Sequence, residues 1–301
     1  MRLERRTFLK LTVAGTAAAA VATPAAASAA TGAAARADAV GVLVDTTKCA
    51  GCRACEAACA EANHLALPAD DADVFETHRS TSPGTFTVVN RAATPEGGDE
   101  RFAKAQCLHC LEPACATACP TQALEKTKTG PVVYHANRCL GCRYCMVSCP
   151  FDVPKYEYES ANPRVRKCTF CAERQAEGLE PACTSVCPTG ALTFGKRDAL
   201  LAEARRRVYG QPDRYLPVIY GEAEAGGTSW LYIGDRTPEQ LGLKTGVPTT
   251  PYSSLAQGAL AVVPAVITLW PPLLMGLHAF SHRREEVARQ TAAATEETHH
   301  G

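Results

Sequence analysis

The chain has 301 residues, with 31 Lys and Arg against 31 Asp and Glu, so its net charge is zero. A balanced charge gives no basic footprint for nucleic acid, and neither a dinucleotide-binding glycine fingerprint nor a nucleophile–base constellation stands out. The outlier is cysteine, with sixteen residues.

The N-terminus opens Glu4-Arg5-Arg6-Thr7-Phe8-Leu9-Lys10 and then runs apolar and alanine-rich to about Ala30. A charged start with twin arginines, a mild apolar stretch and small residues for cleavage predicts a twin-arginine export signal over 1–37. Cleavage after Ala29 and after Ala37 are both compatible with the small-residue pattern.

Cysteine quartets follow, within a domain expected over 38–208. Cys49, Cys52, Cys55 and Cys59 form the first, and Cys107, Cys110, Cys115 and Cys119 the second. Cys139, Cys142, Cys145 and Cys149 form the third, and Cys168, Cys171, Cys183 and Cys187 the fourth. Pro120, Pro150 and Pro188 follow the last cysteine of three quartets, where a helix can start without its first N–H, whereas Ala60 follows the first. Residues 61–106 read as an insertion with a strand at Thr85–Val89 and a loop at Ala92–Glu100. Ala123-Leu124-Glu125 and Val132-Val133-Tyr134, about a Thr129-Gly130-Pro131 turn, predict a β-hairpin.

Gly190 to Arg197 imitates a phosphate loop but ends in arginine and follows a cysteine motif instead of a strand. Asp198 is expected to cap a helix through Arg207. Residues 209–252, rich in glycine, proline and tyrosine, read as an extended segment over the core or a partner. Leu255 to Phe280 then carries no Asp, Glu, Lys or Arg. At about 1.5 Å per residue this spans a hydrocarbon core of about 30 Å, so 253–281 is expected to be a transmembrane helix. His282-Arg283-Arg284 puts the tail, 282–301, on the cytoplasmic side. The cysteine domain then lies on the periplasmic, extracytoplasmic face.

A Cys-x2-Cys-x2-Cys run curls round a compact inorganic core and brings three thiolates to three iron corners, while the fourth cysteine reaches the other cluster of a pair. Sixteen cysteines therefore predict four [4Fe–4S] clusters with no thiol left over. Structural zinc takes separated pairs or Cys/His mixtures, and disulfides between cysteines two apart in a tight loop are poorly placed. His109, between two ligand cysteines, is expected to pack or to hydrogen-bond a cluster sulfide. Lys48, Arg53, Arg138, Arg143, Arg166 and Lys167 flank the quartets, and cations such as Arg53 and Arg143 would raise a cluster's potential. Export of a folded, cofactor-loaded chain reconciles these clusters with an oxidising compartment.

The layout resembles the iron–sulfur β subunits of membrane-bound respiratory complexes. It is most similar to the electron-transfer subunit of periplasmic [NiFe] uptake hydrogenases and next to the β subunit of formate dehydrogenase and other molybdopterin oxidoreductases. The quartets carry the likeness, with Gly141-Cys142-Arg143-Tyr144-Cys145-Met146, Pro150-Phe151-Asp152-Val153-Pro154-Lys155-Tyr156, Tyr220-Gly221-Glu222 and Gly226-Gly227-Thr228. The resemblance implies an α+β fold of two ferredoxin-like, bacterial dicluster units with insertions, plus one C-terminal transmembrane helix. It implies pairing of quartet one with four and of two with three. The sets would be Cys49, Cys52, Cys55 with Cys187; Cys59 with Cys168, Cys171, Cys183; Cys107, Cys110, Cys115 with Cys149; and Cys119 with Cys139, Cys142, Cys145. It further implies an electron-transfer role in anaerobic respiration, without bond-making catalysis of its own, between a catalytic subunit and an integral membrane subunit that reacts with quinone. A self-sufficient reductase and a zinc-stabilised scaffold are the rival readings.

Overall fold

The computed structural model describes residues 39–69, 73–94 and 98–299, so the export signal expected over 1–37 lies outside the described residues. Two compact units divide between Pro251 and Tyr252.

The first unit mixes helices and strands around a three-stranded sheet. Strand β1 (Val40–Asp45) is central, pairing antiparallel with β8 (Leu192–Lys196) and parallel with β9 (Trp230–Ile233). Its side chains alternate between two buried faces, as period two requires. Val42 and Val44 join Trp230, Tyr232, Phe170 and Cys183 on one face. Leu43 joins Leu231, Ile233 and Leu200, Ala204 and Val208 of helix α6 (Arg197–Gly210) on the other. The sheet thus has a cysteine-bearing face and a face closed by a helix whose buried residues recur every three to four positions.

Two features here depart from expectation. Asp198 does not cap α6: Lys196 occupies the cap position, its side chain does not cap the helix, and the Arg197 N–H donates to the Ala39 carbonyl at 2.9 Å. Within 209–252, expected to lie over the core, Trp230–Ile233 is the most deeply buried strand, with every residue at 2% exposure or less. A strand enclosed on both faces reads as a plain apolar run, so alternation could not announce it.

The cysteine loops are built alike. The residue two after the first cysteine is left-handed in each: Gly51 (φ 69), His109 (φ 47), Gly141 (φ 74) and Phe170 (φ 56). Short helices follow: α1 (Ala54–Ala62), α2 (Ala114–Thr117), α3 (Tyr144–Ser148), α4 (Ala172–Ala176) and α5 (Ala182–Ser185). Glycine takes this conformation freely, whereas other residues pay about 1–2 kcal/mol. His109 and Phe170 offset that cost by stacking on each other, with ring centroids 4.8 Å apart, both essentially fully buried.

Pro120, Pro150 and Pro188 open turns, not helices. A proline pushes the residue before it toward extended backbone. Helices α2, α3 and α5 accordingly stop before Cys119, Cys149 and Cys187. Ala60 imposes no such stop, and α1 runs through Cys59 to Ala62.

Three hairpins complete the unit. In β2 (Thr87–Arg91) and β3 (Phe102–Gln106), Val89 pairs with Lys104. In β4 (Leu124–Lys126) and β5 (Val132–Tyr134), the hairpin read from sequence, Leu124 pairs with Tyr134. In β6 (Lys155–Tyr156) and β7 (Val165–Arg166), Tyr156 pairs with Val165. Buried Glu56 of α1 ties the first hairpin down: it accepts from the Val89 N–H at 2.5 Å and from Arg79 at 2.6 Å.

The second unit is one helix, α7 (Tyr252–His299), with Pro264, Pro271 and Pro272 inside it. Val262–Thr291 is long and apolar enough to cross a membrane, with mean hydropathy 1.5 over an 18-residue window. Ile267, Leu269, Trp270, Met275 and Phe280 are all more than half exposed, an apolar surface of the kind water-soluble chains rarely leave uncovered. Each proline removes one i→i−4 bond, which a membrane helix tolerates where neighbours satisfy the carbonyl. The helix continues beyond the charge-free stretch through Arg283 and Arg284 into the stretch that had read as a polar tail.

Leu43→Ala on the α6 side of the sheet is expected to cost about 2–5 kcal/mol, read as a fall in the denaturant midpoint of anaerobically handled protein; a midpoint like that of the unaltered chain would mean Leu43 is not a core contact. The two glycines also separate. A Cβ at Gly51 would come within 2.8 Å of the Phe102 ring, whereas at Gly141 it would meet only the Tyr156 hydroxyl, at 3.1 Å. Gly51→Ala is therefore expected to lose more bound iron per chain than Gly141→Ala, and equal losses would leave the Phe102 contact without consequence.

Candidate metal centres

All sixteen cysteines are free thiols, so none is committed to a disulfide. Burial raises several far above the ordinary thiol range: Cys55 and Cys115 to about 12, and Cys59, Cys145 and Cys149 to about 11. Cys110 and Cys168 are also pushed well up by burial. Such thiols hold their protons at neutral pH unless a metal displaces them, since the metal binds the thiolate and releases the proton. Cys119 is the exception. Burial works against its thiolate, but hydrogen bonds from Leu124, Thr121 and Ala123 outweigh it and lower the pKa. The Ala123 N–H reaches Cys119 Sγ at 3.2 Å. The amides of Gly141 and Phe170 reach Cys139 and Cys168 Sγ at 3.4 Å, each from the left-handed residue of its loop.

The fold brings thiols of different quartets under one another's influence. Besides burial, Cys49 is raised by Cys187 and Cys52, and Cys55 by Cys183 and then Cys49. Cys59 is raised by Cys183 and Cys171, and Cys168 by Cys59, Cys107 and Cys183. Cys110 is raised by Cys107, Cys149 and Cys115, Cys115 by Cys107, Cys149 and Cys145, and Cys145 by Cys119, Cys139 and Cys142.

This donor set fits iron–sulfur clusters. Soft thiol donors from all four quartets line the interior, with Cys59, Cys107, Cys115, Cys145, Cys168 and Cys183 buried and Cys52 and Cys142 exposed.

The flanking cations are mostly occupied elsewhere. Arg53 pairs with Glu56 at 3.1 Å, Arg138 with Glu125 at 3.4 Å, Arg166 with Glu157 at 3.4 Å and Lys48 with Asp45 at 3.8 Å. Arg143 lies over the rings of Tyr156 and Tyr158, 5.5 and 5.6 Å from their centroids. Lys167 is buried and donates to the carbonyls of Val132 at 2.5 Å and Cys168 at 3.0 Å. His109 packs on Phe170, and its Nδ1 accepts from the Val132 N–H at 2.9 Å. Burial, with Lys167 and Lys126 nearby, holds its pKa well below the usual imidazole value, so the ring is neutral.

One cation beside the thiols was missed in the sequence. Lys104 of β3 is 2% exposed and surrounded by Cys183, Cys55, Cys168 and Cys59. Its signal was faint: a lysine between two alanines in Phe102-Ala103-Lys104-Ala105-Gln106, running straight into Cys107.

Comparison with known proteins agrees with this chemistry. The model of the 4Fe-4S dicluster domain matches residues 99–197. A protein of Nitratidesulfovibrio vulgaris is 43% identical over 297 residues, covering 97% of this chain and 80% of that one. Hydrogenase-2 operon protein HybA of Escherichia coli O157:H7 is 32% identical over 274 residues, covering 80% of this chain and 84% of its own. The formate dehydrogenase-O iron-sulfur subunit of Escherichia coli K12 is 35% identical over 219 residues, covering 70% and 72%. The chain belongs to the family of 4Fe-4S dicluster iron–sulfur proteins that contains HybA and the formate dehydrogenase iron–sulfur subunits.

Proposed function

We propose that the chain is the electron-transfer subunit of a membrane-bound respiratory complex, working between a [NiFe]-hydrogenase-type catalytic subunit and a quinone-reactive membrane subunit. The observation that supports this reading is the mutual influence of thiols from different quartets, Cys49 with Cys187, Cys59 with Cys183, Cys110 with Cys149 and Cys145 with Cys119. In this reading, Cys49, Cys52, Cys55 and Cys187 hold the first cluster, and Cys59, Cys168, Cys171 and Cys183 the second. Cys107, Cys110, Cys115 and Cys149 hold the third, and Cys119, Cys139, Cys142 and Cys145 the fourth. Each [4Fe–4S] cluster, when bound, supplies a one-electron couple. The residues hold the thiolates in fours, keep water from the interior of the series and leave its two ends, at Cys52 and Cys142, exposed to partners. Two ferredoxin-like units follow from the exchange of each quartet's last cysteine with its pair.

The apolar helix α7 supports a single-pass anchor with the C-terminus inside, and the twin arginines support export of the loaded chain to the periplasmic face. A formate dehydrogenase β subunit is the second reading, favoured by the 35% identity to the formate dehydrogenase-O subunit. The hydrogenase reading rests on the HybA match, which covers more of both chains, and on a signal of the chain's own.

Membranes carrying the native complex decide between the two. Hydrogen, and not formate, is expected to reduce the chain's iron–sulfur signals, and the reverse result would establish the second reading. The solubilised protein is expected to be brown with about sixteen irons per chain; colourless, zinc-containing protein would end both. Replacing Arg5 and Arg6 by lysine is expected to leave loaded protein in the cytoplasm, and unchanged export would remove the twin-arginine route.

A further inference from the structure

Lys104 is a buried cation without a buried anion of its own. Among the described residues no carboxylate pairs with it. Its Nζ donates to Gln106 Oε1 at 3.0 Å and lies 4.6 Å from the centroid of the fully buried Trp230 ring. The amide cannot turn away: Gln106 Nε2 donates to the Tyr232 hydroxyl at 2.8 Å, and that hydroxyl donates to the Lys104 carbonyl at 2.8 Å. A closed ring of hydrogen bonds, all buried, therefore holds the ammonium in one place.

One neutral amide and one aromatic face do not replace the water that an ammonium loses on burial. Anionic charge must make up the difference, and the residues around Lys104 that can carry it are cysteines. The Trp230 ring beneath the ammonium packs in one hydrophobic cluster with Cys183 and, at its edge, Cys55 and Cys187, and Cys183 and Cys55 are the foremost influences that keep the lysine charged against burial. The other buried lysines differ: Lys126 donates to the carbonyls of His109 at 3.1 Å and Gly130 at 2.5 Å, and Lys167 likewise has two carbonyls.

We propose that Lys104 is a positioning residue for charge, a fixed cation that raises the reduction potential of the clusters held by the first and second thiol sets relative to the third and fourth. The proposal rests on the ligand sets of the preceding subsection. Of the thiols packed with Trp230, Cys183 belongs to the second set and Cys55 and Cys187 to the first. A reduced cluster is more negative than an oxidised one, and a nearby cation in a dry site favours the reduced form. The loop arginines, Arg53 neutralised by buried Glu56 and Arg143 lying over tyrosines, lack this leverage.

The test is a redox titration of the full chain in its native complex, followed by electron paramagnetic resonance. Lys104→Met keeps the bulk and removes the charge. It is expected to weaken reduction of one or two clusters at least tenfold, a 59 mV fall for a one-electron couple, and to leave the others in place. Gln106→Glu keeps the lysine but puts a carboxylate beside it, and is expected to move the same signals the same way. Lys104→Arg keeps the charge and is expected to leave them near their original potentials.

Unmoved potentials at normal iron content would overturn the proposal, as would an equal shift of all clusters. If Lys104→Met loses iron, Gln106→Glu decides. Iron loss in both, with Lys104→Arg normal, would make the lysine a structural support and also overturn it. Absence of four-iron signals in the unaltered protein would instead defeat the underlying ligand assignment.

Discussion

A thiolate inside a protein survives only where positive charge stands in for the water it has lost. That constraint shapes the whole first unit of this chain. Burial alone leaves Cys55 and Cys115 as neutral thiols with pKa of about 12. The fold answers with thiols of different quartets brought together, with amide N–H groups aimed at sulfur and with buried lysines beside them. Each loop needs a left-handed residue two positions after its first cysteine to turn an amide toward Sγ, as seen at Gly141 and Phe170.

The interior is arranged around that requirement. Strand β1 lends one face to the cysteine side through Val42 and Val44 and the other to α6 through Leu43. The His109–Phe170 stack joins the second and fourth cysteine loops, where Cys107 raises Cys168. The same stack absorbs the cost of two side chains in left-handed conformations. Packing and cofactor geometry are therefore not separate achievements here: the ring pair that fills the core also sets the loops that aim the thiols.

Much of this was legible in the residues themselves. The quartets, the β4–β5 hairpin about Gly130 and the long charge-free helix all carry local signatures, since spacing, turn chemistry and apolar length act over a few residues. The export signal expected over 1–37 falls outside the described residues. The proline rule was legible in position but not in effect, because Pro120, Pro150 and Pro188 end helices instead of starting them. Strand β9 could not be read, since four apolar residues become a strand only by pairing with a partner nearly 190 positions earlier.

Lys104 marks the same boundary in the chemistry. A lysine in a short strand looks solvated, and the loop arginines beside the cysteines looked better placed to act on a cluster. Only the folded chain pairs Arg53 with Glu56 and locks Lys104 against Gln106 and Trp230. Ligand type and count were determined by the sequence itself, because they depend on which side chains exist and how far apart they lie along the backbone. Which thiols face one another and which cation keeps its charge beside them were decided by tertiary structure, because burial and long-range pairing set the electrostatics.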